Sequence, residues 1–174
     1  MKVIIPKYLT EETAMTAVDV ALKATMGNGN YLLNKLTRHQ CHIVVLVPAM
    51  EDARAEDYPA WPNYPTQAHV LYEYSTPNKD FWEHDYDDIA RCKALQLWTD
   101  RNDDRTASVP HLLFPGDTPY WGGVKRRGIV VACSGVQPWF DKLISGIVAD
   151  TIVALAHDAF VNDPEVKECH DFLS

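Results

Sequence analysis

The densest group of residues that could do chemistry is residues 81–88, which read FWEHDYDD. One histidine stands there among four acidic and three aromatic residues, directly ahead of a predicted helix. Glu83, His84 and Asp85 are the residue types of a general acid–base or metal site, because a neighbouring carboxylate raises the pKa of an imidazole. The same acids suit the first turn of a helix, so helix capping explains the aspartates equally well.

A second candidate is residues 39–42, HQCH, which place two imidazoles and a thiol within four positions. All three side chains are metal-ligand types. On a strand, however, Cys41 points away from His42, and no second pair at zinc-finger spacing follows. We therefore interpret the segment as structural and keep His39 and His42 as the alternative metal ligands.

The third candidate is the stretch VVACSGVQPWFDKLISG, in which an apolar run ends at Ser134-Gly135 and Pro138 opens a predicted helix. A nucleophile elbow has the sequence G-x-S-x-G, whereas Ala132 stands at the first glycine position here. No base is indicated for a serine nucleophile. We predict a structural turn. The first alternative is a turn that contacts an anion or another ligand, since helix N-termini bind anions.

Aromatic side chains are frequent in predicted loops and at strand ends, where a core does not require them. Such residues favour an oligomer interface or a pocket that stacks on a ligand. We favour the interface for the set as a whole. As residues of a ligand pocket we predict Trp61, Tyr64, Tyr72, Trp82, His111, Trp121, Cys133 and Trp139.

Hydrophobic periodicity predicts the elements that must position these residues. The predicted helices cover residues 10–27, 85–100 and 138–160, and the predicted strands cover 41–47, 68–74, 111–114 and 128–134. Pro48 is predicted to end the first strand. Alternation along the second strand predicts that Val70 and Tyr72 share a face.

Residues 49–67 join the first two strands and hold four acids, three prolines, one tryptophan and two tyrosines. A loop of this length is uncommon in a compact domain, and we predict an ordered aromatic flap. Short links between strands, with helices at both ends of the chain, predict an α+β fold. The expected form is an α/β/α sandwich whose mainly antiparallel sheet is flanked by helices.

Composition limits the classes of function. A chain of 174 residues is predicted to form one domain, residues 1–174. The net charge of −8, without a basic stripe, argues against nucleic-acid binding. No apolar run approaches the roughly 18–20 residues that cross a membrane, so no membrane association is expected. Four scattered cysteines and the lack of a signal-peptide pattern predict a cytoplasmic protein.

Four motifs, in this order, resemble one known family. They are LTxExA at residues 9–14, IAxxKA at 89–94, FPGxxP at 114–119 and SGxxPxxD at 134–141. Together they resemble the GlcG/HbpS-like haem-binding (haem-degrading) family, which includes the C-terminal domain of PduO-type proteins. The resemblance implies a profilin-like or PAS-like domain that forms homo-oligomers and, in some members, binds haem or iron. No haem ligand is assigned to a particular residue.

Three functional hypotheses follow. The leading one is a homo-oligomeric protein that binds haem or another planar aromatic molecule between the sheet, the flap and the turn at Trp121. The alternative is a cofactor-independent enzyme that uses His84 with Glu83 or Asp85 for proton transfer, with the flap as a lid. The third is an accessory subunit without a ligand, whose aromatic residues lie in interfaces.

Overall fold

The computed structural model describes residues 3–51, 66–102 and 109–168. Within these ranges the elements, in chain order, are β1 (Val3–Ile4), α1 (Glu11–Met26), β2 (His42–Glu51), β3 (Gln67–Ser75), α2 (Tyr86–Trp98), β4 (Gly123–Arg126), β5 (Ile129–Ser134), α3 (Pro138–Asn162) and α4 (Pro164–Lys167). Short 3-10 turns cover Tyr31–Lys35, Lys79–Phe81 and Pro110–Leu112.

The strands form an antiparallel sheet with β2 at its centre. β2 pairs on one side with β3 and on the other with β5, and β4 pairs in turn with β5. The short strand β1 pairs with Met50 and Glu51 at the end of β2. Since β2 has neighbours on both sides, its apolar run is buried along most of its length.

Helices cover both faces of this sheet. The larger core lies under α1 and α3 and includes Val18, Ile43, Val45, Val131, Ile144 and Val148. The smaller core lies under α2 and includes Val44, Leu46, Ala90, Ala94, Leu97 and Val130. Alternate residues of β2 and β5 thus serve opposite cores. The predicted α+β fold, an α/β/α sandwich, is confirmed.

A β-bulge at Leu71 changes the faces of β3. Val45 pairs with Tyr72 while Leu46 pairs with Val70, so Leu71 is the extra residue between the two pairs. The bulge places Val70 on the side of Leu46 and α2, opposite to Tyr72. The predicted shared face of Val70 and Tyr72 is therefore wrong, because one inserted residue reverses the alternation.

Two predicted strand boundaries are also corrected. Pro48 does not end β2, which continues to Glu51. The pairs between β2 and β5 end at Leu46, so the missing N–H of Pro48 removes no hydrogen bond between those strands. The predicted strand at residues 111–114 is instead a 3-10 turn at Pro110–Leu112.

The strand before β5 is β4 (Gly123–Arg126), and not the predicted strand at residues 111–114. Fewer residues therefore separate the two strands than predicted. Arg127 and Gly128 form the two-residue loop between them, and both have positive φ angles, 49° and 86°. Two positive φ angles are what a type I′ hairpin turn requires.

The helix α3 is 25 residues long and apolar on more than its core side. By length and composition alone it could cross a membrane, with a mean hydropathy of 1.5 over an 18-residue window. Ile144, Val148 and Ile152 of α3 are buried in the larger core. Core helices of soluble proteins meet the same criterion.

Most of the predicted aromatic flap lies outside the described residues. Ala49 pairs with Gln67 at the end of the β2–β3 ladder. Residues 52–65, which include Trp61 and Tyr64, are outside the described ranges.

We expect Gly135→Ala to lower the free energy of unfolding by about 2–4 kcal/mol. Gly135 has a φ of +131°, and a Cβ atom there would overlap the Gln40 carbonyl oxygen. Gly146 in α3 is the matched control, because a Cβ there meets no atom within 4 Å. Gly146→Ala should stabilise the protein by about 0.5–1 kcal/mol. Urea titration measures both variants, and equal effects would contradict this account of the turn.

Candidate ligand-binding site

A buried ion pair joins the two helix layers at one end of the sheet. Lys93 of α2 is 1% exposed, and its Nζ donates to the Cys133 carbonyl oxygen at 2.9 Å and to Asp141 Oδ2 at 3.2 Å. Asp141, in the first turn of α3, is 3% exposed, and its Oδ1 accepts from the Val136 N–H at 3.1 Å. Each charge has its partner and a further hydrogen bond, which a buried pair requires.

Burial determines the protonation of this group of residues. It raises the pKa of Asp141, and the Lys93 ammonium and the Val136 N–H oppose that rise. Burial also raises the pKa of the Cys133 thiol, and the neighbouring Cys41 adds to the increase. The Cys133 Sγ lies 3.6 Å from Asp141 Oδ1 and is a protonated donor. Cys133 therefore supports the ion pair from the core, and its thiol keeps its proton.

The local sequence explains why a lysine lies in the core. Tyr86, Ala90, Lys93, Ala94 and Leu97 recur at helical spacing along α2, and all five are buried. Lys93 thus occupies a core position of an amphipathic helix, and its long side chain reaches the Cys133 carbonyl oxygen near the end of β5.

Small residues let the N-terminal part of α3, which carries Asp141, pack closely against the backbone at Gly122. Ser145 Oγ lies 3.0 Å from the Gly122 carbonyl oxygen. A Cβ atom at Gly122 would lie 2.6 Å from the Cβ of Asp141, and the φ of Gly122 is +129°. Only glycine satisfies both the backbone angle and the available space.

A cavity of about 170 Å³, which we name the turn cavity, lies beside the ion pair between the Ser134-Gly135 turn and the N-terminal ends of α2 and α3. It is lined by Arg38, His84, Tyr86, Ile89, Lys93, Tyr120, Ser134, Gly135, Val136, Pro138 and Asp141.

Tyr86 is the lining residue whose polar group the fold does not satisfy. The residue is 3% exposed, and its hydroxyl group has no hydrogen-bond partner among the described residues. A buried hydroxyl without a partner costs about 1–3 kcal/mol. Burial also raises the pKa of Tyr86, so the hydroxyl group keeps its proton and can donate a hydrogen bond to a bound molecule.

Arg38 and His84 form the solvent side of the turn cavity. Arg38 donates from Nε to Glu83 Oε2 at 3.0 Å and from Nη1 to the Val136 carbonyl oxygen at 3.3 Å. The exposed His84 ring lies edge-on to Tyr86, with ring centres 5.9 Å apart. The less buried part of the lining thus includes an imidazole and a guanidinium group.

The predicted acid–base residues Glu83, His84 and Asp85 line a neighbouring groove of about 570 Å³, which we name the acidic groove. Glu83 is 62% exposed and paired with Arg38. Asp85 occupies the N-cap position of α2 without a side-chain capping hydrogen bond, so capping does not account for it. The structure brings the three residues together, and His84 lines both the acidic groove and the turn cavity.

The predicted metal ligands His39 and His42 have different surroundings. His42 is buried, with Nδ1 2.8 Å from Ser75 Oγ, and burial lowers its pKa against the effect of Glu73. His39 is exposed, with Nε2 3.2 Å from the Leu33 carbonyl oxygen. Over residues 3–51, 66–102 and 109–168, no three or more His, Cys, Asp or Glu side chains are arranged to hold a metal ion.

The other predicted pocket residues are dispersed over the described structure. Trp82 lines the acidic groove. Trp139 is 58% exposed and lines a separate groove between α3 and the edge strand β4. His111 is exposed on a 3-10 turn, Trp121 is half-buried before β4, and Tyr72 packs against the larger core.

Several residues of the turn cavity were not indicated by the sequence as site residues. Lys93 and Asp141 appeared only within the family motifs. A lysine at a core position of a predicted helix is nevertheless a sequence feature that indicates a buried charge. Tyr86 has the same spacing but looks like an ordinary core residue. Arg38 gave no local signal, because its contact with Val136 joins positions 98 residues apart.

Comparison with known proteins identifies the fold. No protein-family model matches the chain, and no curated protein matches it. Among solved structures, the chain is similar to one titled "Crystal Structure of HbpS", with a TM-score of 0.50 and 18% sequence identity, over 84% of this chain and 92% of that chain. The chain has an HbpS-like fold. This agrees with the sequence motifs at the level of fold, and at this identity the similarity to HbpS concerns the fold alone.

We expect Lys93→Met to lower the free energy of unfolding by about 3–5 kcal/mol, because it leaves Asp141 buried without its cation. Asp141→Asn keeps an acceptor for the Val136 N–H but removes the charge. Adding it to Lys93→Met should therefore restore part of the lost stability. Urea titration of the two single variants and the double variant gives the coupling energy. Purely additive losses would show that the two charges do not stabilise each other.

Proposed function

We propose that this protein binds a small organic molecule in the turn cavity. The observation that carries the proposal is the Tyr86 hydroxyl group, buried at the cavity wall without a partner in the described structure. Native proteins pair nearly all of their buried polar groups. An unpaired donor in a residue that lines a cavity, together with a buried lysine in the same lining, is a feature expected of a binding site.

The size of the cavity limits the ligand. About 170 Å³ is less than the roughly 300–1,000 Å³ of pockets for drug-sized molecules. It is about the volume of five or six water molecules in the liquid. Ile89, Val136 and Pro138 supply apolar wall, while Tyr86 and Ser134 supply hydroxyl groups. A metabolite of a few carbon atoms with one polar end suits this arrangement.

Haem, the cofactor that the family resemblance implies, does not fit the turn cavity, because a porphyrin is a large ligand on that scale. The open groove beside His39 has about 710 Å³ and is lined in part by Leu22, Met26 and Tyr74. We keep haem as a second candidate ligand, held in that groove with His39 as the contacting imidazole. A haemin titration in which the protein causes no shift of the Soret band, or a shift unchanged in His39→Ala, would remove this candidate.

His84 favours an enzymatic alternative at the same site. Its imidazole lines both the turn cavity and the acidic groove, next to Glu83 and Asp85. Imidazole is the side chain best suited to proton transfer near neutral pH. Under this alternative, His84→Ala abolishes turnover of the bound molecule but retains its binding. Unchanged turnover in that variant would leave a binding protein.

The ligand-binding proposal can be tested by ligand-observed NMR with a library of neutral, anionic and cationic molecules of about six non-hydrogen atoms or fewer. The wild-type protein should bind a subset of the library. Ile89 lines both the turn cavity and the acidic groove, and Ile89→Phe should fill the cavity and abolish this binding. Leu95→Phe is the matched control, because Leu95 is 51% exposed on the same helix and does not line the cavity.

Binding that persists in Ile89→Phe would mean that the ligand lies outside the turn cavity. A wild-type protein that binds no member of the library would overturn the proposal and favour the accessory-subunit hypothesis.

We also propose that copies of the chain associate through the groove between α3 and β4, as the aromatic residues predict. Trp139, Leu143 and Ile147 line a groove there of about 820 Å³. Exposed aromatic and aliphatic residues on one helix face are typical of interfaces between identical subunits. Sedimentation velocity should show an oligomer that Trp139→Glu dissociates. A wild-type monomer at high protein concentration would contradict this.

A further inference from the structure

We infer that the turn cavity selects a small carboxylate anion with a short hydrocarbon tail. The inference rests on the proposed ligand-binding function and names the chemical class of the ligand. It follows from the charges, the hydrogen-bond donors and the apolar surface that line the cavity.

The charged residues that line the cavity leave one positive charge in excess. Lys93 and Arg38 are cations and Asp141 is an anion, so that with His84 neutral the lining carries a formal charge of +1. Lys93 and Asp141 neutralise each other, and Arg38 supplies the excess. Its partner Glu83 is mostly exposed and outside the lining. Because water screens an exposed partner, that carboxylate neutralises Arg38 only partly.

Two hydrogen-bond donors belong to residues that line the cavity and are almost fully buried. The Lys93 ammonium has three N–H bonds, and the described structure occupies two of them, with Cys133 and Asp141. The Tyr86 hydroxyl group has no partner among the described residues. A carboxylate accepts hydrogen bonds from both groups, and bonds between charged partners are stronger and shorter than neutral ones. An amine has no acceptor to offer the Lys93 ammonium.

The N-terminal end of α3 adds a positive field at the same place. Gln137 occupies the N-cap position without a side-chain capping hydrogen bond, and the helix behind it has 25 residues. Val136 and Pro138, on either side of Gln137, line the cavity. The N-terminal partial charge of a long helix favours an anion beside it. Asp141 uses part of this field, and its own charge is matched by Lys93.

The cavity volume and its apolar walls favour a carboxylate over inorganic phosphate. Ile89, Val136 and Tyr120 line the cavity, where a hydrocarbon group is stabilised by its removal from water. Phosphate has no such group, and at neutral pH its charge exceeds the single excess positive charge of the lining. A monoanion with a short apolar tail matches both features.

Three probes of nearly equal shape test the inference: propionate, propionamide and propylamine, with inorganic phosphate as a fourth. Titrations followed by amide chemical shifts of the full chain should give propionate a dissociation constant at least tenfold lower than that of propionamide. Propylamine should show no saturable binding. Ile89→Phe should abolish the binding of propionate and propionamide alike.

Two variants test the assigned recognition groups. Tyr86→Phe should weaken propionate binding about three- to tenfold. It should not lower the melting temperature, because the hydroxyl group has no protein partner to lose. Arg38→Gln should weaken propionate more than propionamide. Arg127→Gln, which changes the net charge equally in an exposed turn, should change neither affinity.

Equal affinities for propionate and propionamide, both lost in Ile89→Phe, would overturn the carboxylate inference and leave the proposed function standing. Tighter binding of phosphate than of propionate would overturn it also, as would unchanged propionate affinity in both Tyr86→Phe and Arg38→Gln. If neither these probes nor any library molecule binds the wild-type protein, the proposed function itself fails.

Discussion

Lys93 and Asp141 meet at the end of β5, and the geometry of the candidate site depends on that contact. Lys93 comes from the helix on one face of the sheet and Asp141 from a helix on the other, and the Cys133 carbonyl oxygen completes the contact. A buried charge without its partner costs about 3–5 kcal/mol. Both helices, the strand between them and the tight turn at Gly135 must therefore keep their relative positions.

Stability alone does not account for this pair. Apolar side chains of similar volume are often at least as stabilising as a buried ion pair. What an apolar residue cannot supply is an ammonium group, and Lys93 is one of the residues that line the turn cavity. The unpaired hydroxyl group of Tyr86, another lining residue, is a second feature that folding does not explain. The proposed ligand binding would account for both features at once.

The fold could be predicted from the sequence further than the site could. A long helical period of apolar residues indicates which side of a helix is buried, and this pattern predicted α1, α2 and α3. The strand β4 was missed because it is four residues long, and the bulge at Leu71 has no sequence signature. Of the site, the group around His84 was predicted because its polar residues are contiguous. Lys93 and Tyr86 were not, because they occupy apolar positions of a helix, and Arg38 depends on a long-range contact.

The most direct test of the central claim, that the turn cavity is a ligand site, is a crystal structure of the wild-type protein with propionate. We predict a carboxylate whose oxygens lie within about 2.5–3.2 Å of both Lys93 Nζ and the Tyr86 hydroxyl oxygen. A structure in which the carboxylate binds elsewhere, while the Tyr86 hydroxyl bonds to another protein group, would contradict it.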